Sequence, residues 1–244
     1  MPKIKPKQAQ TIGVFSCKGG VGKTTTVANL GVALSESLEG DVLLVDANLT
    51  ASNLSIHFGE LDPSPTIHDV LAEEKSIDEV TQDVDGVDAI YGSMAFGEEI
   101  HRVDLKGCLD PLKKKYKLIL LDTSPGLGSE VISSIKDCDE MLILTNPDTP
   151  TVASTLKTFR AAERYKVSIW GTVVNKVLGQ DYELSPKDIK KALGWPIVAN
   201  VPDDDRVRES TAEGIPIVKF ELESEAAKEF VELAEKLEEH IKSG

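Results

Sequence analysis

A short glycine-rich segment near the start of the chain combines residue types that bind phosphate. It follows an apolar run at 11–16 and consists of Lys18, Gly19, Gly20, Val21, Gly22, Lys23, Thr24 and Thr25. Glycines let the backbone curl so that successive N–H groups point inward at phosphate oxygens. A lysine then reaches the β- and γ-phosphates, and a threonine hydroxyl coordinates Mg²⁺. The segment predicts a P-loop for a nucleoside triphosphate, in which Lys23 binds phosphate and Thr24 binds the metal.

Two aspartates come directly after apolar runs further along the chain. Asp46 follows the run 42–45, and Asp122 follows the run 118–121. The carboxyl ends of adjacent parallel strands meet at one edge of a sheet, beside the glycine-rich turn. An aspartate that only makes a turn is common at a strand end. Two of them beside a P-loop instead indicate a Mg²⁺ site, held through water because magnesium dehydrates reluctantly.

The elements that must position these residues follow from the alternation of apolar and amphipathic stretches. Buried strands are predicted at 11–16, 42–45, 89–91, 118–121, 141–145, 169–174 and 197–201. Helices are predicted at 23–37, 67–74, 131–137, 150–165, 185–193 and 223–241. This pattern is typical of an α/β protein with a mostly parallel, twisted sheet of about seven or eight strands and helices on both faces. We expect a flexible segment at 1–10 and a single domain at 11–244.

Composition limits the classes of protein that fit. The chain has 244 residues and a formal net charge of −14, which disfavours non-specific binding to nucleic acid or anionic lipid unless a local basic patch overrides it. Its three cysteines, Cys17, Cys108 and Cys138, form no CxxC pair, so neither a disulfide framework nor a zinc ribbon is predicted. Without a signal peptide or a long apolar stretch, the sequence predicts a cytoplasmic protein.

The glycine-rich segment departs from the ordinary P-loop in one respect. The first glycine of GxxxxGK[ST] would fall at Cys17, and Lys18 adds a second lysine. In this the string KGGVGKTT resembles the deviant Walker A loop of the MinD/ParA family of ATPases. Segments 45–48 and 120–126 resemble the family's switch I and its Walker B strand with switch II, and 173–175 and 201–204 resemble its adenine-binding elements. The landmarks cover about residues 11–218 in the family's order, and their layout is most similar to the MinD branch with its archaeal members.

The resemblance implies an ATP- and Mg²⁺-dependent ATPase that forms a homodimer on binding ATP and then recruits or positions a protein partner. It implies that Lys18 reaches across the dimer to the other subunit's phosphates, where it stabilises developing charge. It also implies that Asn175 exchanges paired hydrogen bonds with the adenine ring, since an amide is both donor and acceptor. The backbone near Pro202 and Asp204 is expected to flank the base.

One residue of the switch I segment differs from the family pattern. Where the family commonly has a second aspartate that orients the attacking water, this chain has Asn48. An amide can hydrogen-bond to water but cannot accept its proton. We therefore assign Asn48 to catalysis and expect slow turnover, because phosphoryl transfer depends mostly on positioning and charge stabilisation. The same residue leaves open a different class of protein, a non-hydrolysing ATP-bound dimeric scaffold.

Other members of the same broad fold are disfavoured by particular residues. The helix predicted at 223–241 has an acidic face that anionic lipid would repel, so membrane attachment through it is not expected. A ParA-like DNA-partitioning ATPase would need a basic surface. An iron–sulfur carrier would need cluster cysteines, and no cysteine follows Cys138. The identity of the cargo stays open at this point, because fold does not specify it.

Overall fold

Continuous runs of valine, leucine and isoleucine form the centre of the molecule, because strands covered on both faces bury every side chain. The computed structural model describes residues 8–94 and 105–243. Its strands are β1 (Gln10–Phe15), β2 (Val42–Ala47), β3 (Gln82–Val84), β4 (Val87–Ile90), β5 (Leu118–Thr123), β6 (Glu140–Thr145), β7 (Ser168–Val177) and β8 (Ile197–Pro202). They form one sheet in the order β3-β4-β2-β5-β1-β6-β7-β8. Every neighbouring pair is parallel except β3 and β4. The predicted fold class is confirmed.

Helices cover the two faces of this sheet. They are α1 (Lys23–Ser37), α2 (Ile67–Leu71), α3 (Leu105–Leu109), α4 (Ser129–Asp137), α5 (Thr149–Tyr165), α6 (Pro186–Leu193), α7 (Asp205–Ala212), α8 (Ile217–Phe220) and α9 (Glu225–Ser243). Two 3₁₀ turns span Leu54–Phe58 and Leu112–Lys114. One apolar cluster packs α1, α8 and α9 on the sheet around Leu30 and Phe230. A second packs α4, α5 and α6 on the opposite face around Ile135 and Phe159.

The boundaries of the elements agree with the sequence where the pattern is strong. Helix α1 spans the predicted residues, whereas α2 ends at Leu71 rather than at 74. The strand predicted at 89–91 lies at Val87–Ile90. Strand β3 and helices α3, α7 and α8 were not predicted, because they are short or lack a continuous apolar stripe. Strand β1 begins at Gln10, and most of the segment predicted to be flexible, residues 1–7, lies outside the described residues.

The parallel topology places one end of many strands at a common edge. Strand β1 lies between β5 and β6, so the glycine-rich loop that follows it leaves from the middle of that edge. The register of β2 on β5 pairs Asp46 with Asp122. In a sheet of this kind, ligands bind outside the carboxyl ends of the strands. Within the described ranges, no helix has the length and apolar character needed to cross a membrane.

Candidate nucleotide site

The glycine-rich loop is shaped by two residues in left-handed conformations. Gly20 has φ of 75° and Gly22, the N-cap of α1, has φ of 106°. A Cβ atom on Gly22 would lie 2.1 Å from Asn175 Nδ2, so a side chain there meets both backbone strain and a clash. The first turn of α1 has no side-chain cap among the described residues. Its N–H groups and the positive end of the helix dipole are therefore available to an anion.

Lys23 lies at the start of α1 and is almost fully buried, with 7% of its surface exposed. Its Nζ donates to Ser16 Oγ at 3.3 Å, and Ser16 in turn donates to the carbonyl oxygen of Lys18 at 2.7 Å. Burial lowers the pKa of Lys23, and the negative charge of Asp122 partly offsets that effect. A buried ammonium with one neutral partner has donor capacity left for phosphate oxygens.

The hydroxyl of Thr24 connects the loop directly to Asp122 and, through Asn53, to Asp46, the two aspartates predicted to bind metal. Thr24 Oγ1 lies 2.6 Å from Asp122 Oδ2 and 2.9 Å from Asn53 Oδ1. Asp122 is fully buried, and its Oδ1 has no hydrogen-bond partner among the described residues. Asp46 is also fully buried, and its carboxylate accepts the backbone N–H groups of Asn48, Asn53 and Leu54.

Burial disfavours the charged form of both aspartates. It raises the pKa of Asp46 and of Asp122 above the usual carboxyl value, and for Asp46 the negative charge of Asp122 adds to the effect. The hydrogen bond from Thr24 and the charge of Lys23 oppose the rise at Asp122. A divalent cation beside Thr24 would offset this effect of burial and engage the unpartnered oxygen of Asp122. The donor set, one hydroxyl and two carboxylates, is of the hard oxygen type that Mg²⁺ prefers.

Asn48 is buried in the loop after β2, with both ends of its amide in use. Its Nδ2 donates to the carbonyl oxygen of Ala51 at 2.6 Å. Its Oδ1 lies 2.9 Å from the hydroxyl of Ser124, in the loop after β5. The side chain therefore ties two loops together while remaining at the wall of the cavity described below.

Lys18 extends away from the glycine loop. Its Nζ donates to Thr151 Oγ1 at 3.0 Å and lies 3.9 Å from Asp148 Oδ1. Asp148 is the N-cap of α5 and also accepts the N–H of Thr151. The lysine thus rests on the first turn of α5, and its side chain is 40% exposed.

Two side chains from β7 donate hydrogen bonds to the backbone of the glycine-rich loop. Asn175 is buried, and its Nδ2 donates to the carbonyl oxygen of Val21 at 2.7 Å. Lys176 is exposed, and its Nζ donates to the carbonyl oxygen of Gly20 at 2.8 Å. The amide of Asn175 therefore gives one N–H to the loop and keeps its oxygen free of a described partner for a base.

The loop after β8 forms the far wall of the site. Asp204 is the N-cap of α7 and accepts the N–H of Arg206 at 2.8 Å, so its side chain has a structural partner. Asp203 accepts two hydrogen bonds from Arg208, both of 2.9 Å. Pro202, at the end of β8, stands at the start of this wall.

One cavity of about 600 Å³ brings most of the predicted residues together. Among the residues that line it are Gly19, Gly20, Gly22, Lys23, Thr24, Thr25, Asn48, Asn175, Pro202 and Asp204. Lys18, Val21, Asp46 and Asp122 are not among them, and the two aspartates lie behind Thr24 and its hydrogen bonds. The volume lies within the usual range of small-molecule sites.

Sequence reasoning missed several polar residues of this cavity. Asn53 supports Thr24, Lys176 grips the glycine loop, and Arg208 stands on α7. His57 is buried, its Nε2 lies 3.1 Å from Thr25 Oγ1, and burial lowers its pKa. Lys176 could have been found as the neighbour of Asn175 after an apolar strand. The others are brought in by tertiary contacts that leave no local signal.

Comparison with known proteins agrees with this geometry. The family model described as the CobQ/CobB/MinD/ParA nucleotide binding domain matches residues 12–217. An ATP-binding protein of Methanocaldococcus jannaschii is 32% identical, over 94% of this chain and 88% of its own length. The cell division ATPase MinD of Pyrococcus furiosus has a TM-score of 0.89 at 35% identity, over 95% of this chain and 99% of that one. The septum site-determining protein MinD of Pyrococcus horikoshii, in complex with Mg-ADP, has a TM-score of 0.89 at 32% identity, with coverages of 95% and 97%.

Proposed function

The chain is a member of the CobQ/CobB/MinD/ParA family of nucleotide-binding proteins, and we propose that it is an ATPase that works as an ATP-gated dimeric switch. In this proposal, the dimer with bound ATP and Mg²⁺ recruits or positions a protein partner, and hydrolysis releases that partner. The observation that carries the proposal is the contact of the Thr24 hydroxyl with Asp122, whose second oxygen is buried without a described partner at the base of the P-loop.

The residues of the loop supply the contacts that a triphosphate needs. The uncapped N–H groups at the start of α1 and the backbone between Lys18 and Lys23 face the phosphates. Lys23 neutralises the β- and γ-phosphates from its buried position. The adenine lies toward Asn175 and Pro202, where the Asn175 oxygen accepts a hydrogen bond from the ring.

Mg²⁺, when bound, stabilises negative charge on the phosphate oxygens. Thr24 would be its direct protein ligand, because the hydroxyl can give its hydrogen to Asp122 and turn a lone pair to the ion. Asp122 and Asp46 would hold coordinated waters. Their buried charge, which is unfavourable by itself, would then be complementary to the cation.

Dimerisation requires Lys18 to change partners. Its present contacts to Thr151 and Asp148 are half exposed, and exposed ion pairs contribute at most about 1 kcal/mol. The energy needed to release Lys18 from α5 is therefore small compared with a charge-assisted contact to phosphate. Once released, it would stabilise charge on the phosphates of the other subunit. The same loop change would alter the surface around Thr151, which gives a partner a way to sense ATP.

The proposed partner and process rest on the relatives. The two Pyrococcus proteins are named as a cell division ATPase and a septum site-determining protein. We extend to this chain the general role of positioning a protein partner, with the partner defined as one that binds the ATP dimer and not the nucleotide-free chain.

A second candidate function is a dimeric scaffold that keeps its ATP. Asn48 favours it, because its amide is held by Ala51 and Ser124 and cannot take a proton from water. We expect hydrolysis nonetheless, at a slow rate, since positioning and charge stabilisation account for most of the catalysis in phosphoryl transfer.

Phosphate release from the purified protein with ATP and Mg²⁺, recorded beside light scattering, separates the two functions. The proposal expects slow release that Lys18→Ala and Lys23→Met abolish, faster release by Asn48→Asp, and a dimer with ATP that returns to monomer after hydrolysis. A stable ATP dimer with no release above the blank would select the scaffold. A monomer in all nucleotide states would contradict both.

A further inference from the structure

A cluster of four side chains joins the loop after β2 to the loop after β5 and to the start of α4. We call Asn48, Thr50, Ser124 and Glu130 the inter-loop cluster. The Ser124 hydroxyl lies 2.9 Å from Asn48 Oδ1 and 2.6 Å from Glu130 Oε2. Thr50 Oγ1 donates to the same Glu130 oxygen at 3.3 Å. The loop after β2 thus meets a region of the chain that lies 76 to 80 residues further along the sequence.

The number of hydrogens available shows which member holds the cluster together. The Asn48 amide nitrogen donates one of its two hydrogens to Ala51, and the amide oxygen that faces Ser124 can only accept. Ser124 has a single hydroxyl hydrogen and two acceptors within reach, and a carboxylate is the stronger acceptor. Thr50 directs its hydroxyl to the same carboxylate. Glu130 is therefore the residue on which the contacts of both loops converge.

The position of Glu130 in α4 does not by itself fix where its side chain points. It stands in the first turn of α4, where the helix dipole stabilises negative charge. That effect alone would be satisfied by a carboxylate facing solvent. The side chain is instead partly buried and turned toward Ser124 and Thr50. Its orientation is thus specific to the two loops, one of which follows β2, the strand that carries Asp46, and the other β5, the strand that carries Asp122.

We propose that Glu130 is a positioning residue for ATP hydrolysis. It accepts hydrogen bonds from Thr50 and Ser124, and so joins the loop after β2 to the loop after β5 and holds Asn48, in the first of these loops, at the wall of the nucleotide cavity. The inference rests on the proposed function. Since Asn48 cannot accept a proton, it contributes to hydrolysis by orientation alone, and orientation is what Glu130 supplies. A loop held in this way affects the rate of the chemical step more than the affinity for ATP.

Steady-state phosphate release tests this role through the separation of kcat from KM. Glu130→Ala and Ser124→Ala are each expected to lower kcat about tenfold and to leave KM within about twofold. The double variant is expected to be no slower than either single variant, because both remove the same contact. Glu130→Gln keeps an oxygen acceptor for the Ser124 hydroxyl and is expected to recover kcat to within about threefold of the wild type.

A matched control separates the contact from the helix dipole. Glu225 is also in the first turn of a helix, but it is exposed and pairs with Lys228 on its own helix. Glu225→Ala is expected to leave kcat unchanged. An equal loss in Glu225→Ala, or a Glu130→Gln variant as slow as Glu130→Ala, would overturn positioning through an accepted hydrogen bond. So would an unchanged kcat in Glu130→Ala.

Amide hydrogen exchange of the loop, without nucleotide, gives a readout that does not need hydrolysis. We expect exchange at 48–53 to be faster in Glu130→Ala and Ser124→Ala than in the wild type, and unchanged in Glu225→Ala. A wild-type protein that releases no phosphate would end the proposed function. In that case faster exchange at 48–53 still supports Glu130 as the residue that positions this loop, and unchanged exchange overturns it.

Discussion

The two ends of the candidate site carry charge in opposite ways. We call the end around Thr24, which is proposed to bind phosphate, the phosphate half, and the end around Asn175 and the loop after β8, which is proposed to face the base, the base half. In the phosphate half, Lys23, Asp46 and Asp122 are buried. Burial lowers the pKa of Lys23 and raises the pKa of both aspartates, which in each case favours the neutral form.

In the base half, Lys176 and Arg208 are exposed. Lys176 donates a hydrogen bond to the carbonyl oxygen of Gly20, and Arg208 donates to the carboxylate of Asp203. In the phosphate half, burial disfavours the charged forms when no ligand is bound. In the base half, the charged groups already have hydrogen-bond partners within the protein.

This difference indicates where binding energy comes from. A triphosphate with its metal would complete the phosphate half, since each buried charge there gains a partner of opposite sign. The base half needs little from the ligand and serves mainly to shape the cavity and to hold the glycine loop. Substitutions of matched residues in the two halves should therefore have effects of very different size.

The largest difference is expected between the two lysines that face the cavity. Lys23→Met should lower phosphate release at least about 100-fold, because it removes a buried cation at the point where charge develops. Lys176→Met removes an exposed lysine that bonds the same loop, and should lower release no more than about threefold. Similar losses in the two variants would show that the halves do not differ as described.

A comparison of two glycines tests how tightly the loop is held. Gly22→Ala introduces a Cβ 2.1 Å from Asn175 Nδ2 at φ of 106°, and should lower the free energy of unfolding by about 1–3 kcal/mol. A Cβ at Gly19 meets no atom within 4 Å, and its φ lies outside the left-handed region. Gly19→Ala should therefore change stability by less than about 0.5 kcal/mol. Urea unfolding of both variants provides the measurement.

The strained carboxylates predict an unusual dependence of stability on pH. A group whose folded pKa is raised contributes stability below its unfolded pKa, and that stability is lost as the pH rises through the folded pKa. Burial raises the pKa of Asp122, so the nucleotide-free wild type should lose stability between about pH 4 and neutrality. Asp122→Asn cannot ionise and should be more stable by about 1–2 kcal/mol near neutral pH.

Urea unfolding at two pH values checks this prediction. The advantage of Asp122→Asn should shrink as the pH is lowered toward about 4, where the wild-type carboxyl is protonated. A variant less stable than the wild type at both pH values would contradict the account of the phosphate half as a site of unrelieved charge.

The smallest effect is expected at the surface of the base half. Arg208 makes two hydrogen bonds to Asp203, but 60% of its side chain is exposed. Arg208→Ala should change the free energy of unfolding by less than about 1 kcal/mol and ATP affinity by no more than a few-fold. A loss as large as that of Lys23→Met would move the centre of binding into the base half.

The sequence predicted the sheet and the glycine loop because both have strong local signals. Apolar runs marked seven of the strands, and the spacing of glycines, lysines and threonines marked the loop at the start of α1. Strand β3 was missed because it is three residues long and largely polar. The sequence could not predict the hydrogen bonds of Asn48, Asn175 and Lys18, because each joins segments that only the fold brings together.

Glu130 shows the same limit most clearly. In the sequence it is an acidic residue directly before the helix predicted at 131–137, a common place for an acidic residue. Its contacts with Ser124 and Thr50 depend on how α4 leaves β5 and on where the loop after β2 lies. The local sequence pattern does not show how far Glu130 lies from the loop after β2. The inter-loop cluster could therefore be recognised only in the folded chain.

Calorimetric titration of ATP, with and without Mg²⁺, tests the central claim most directly. In the wild type, Mg²⁺ should tighten ATP binding at least about tenfold, because the ion engages Thr24 and the buried aspartates. Thr24→Val removes the hydroxyl and should lose most of this effect, while Thr211→Val, a matched change at the base end of the cavity, should keep it. Equal ATP affinity with and without Mg²⁺ in the wild type would contradict the assignment of the phosphate half.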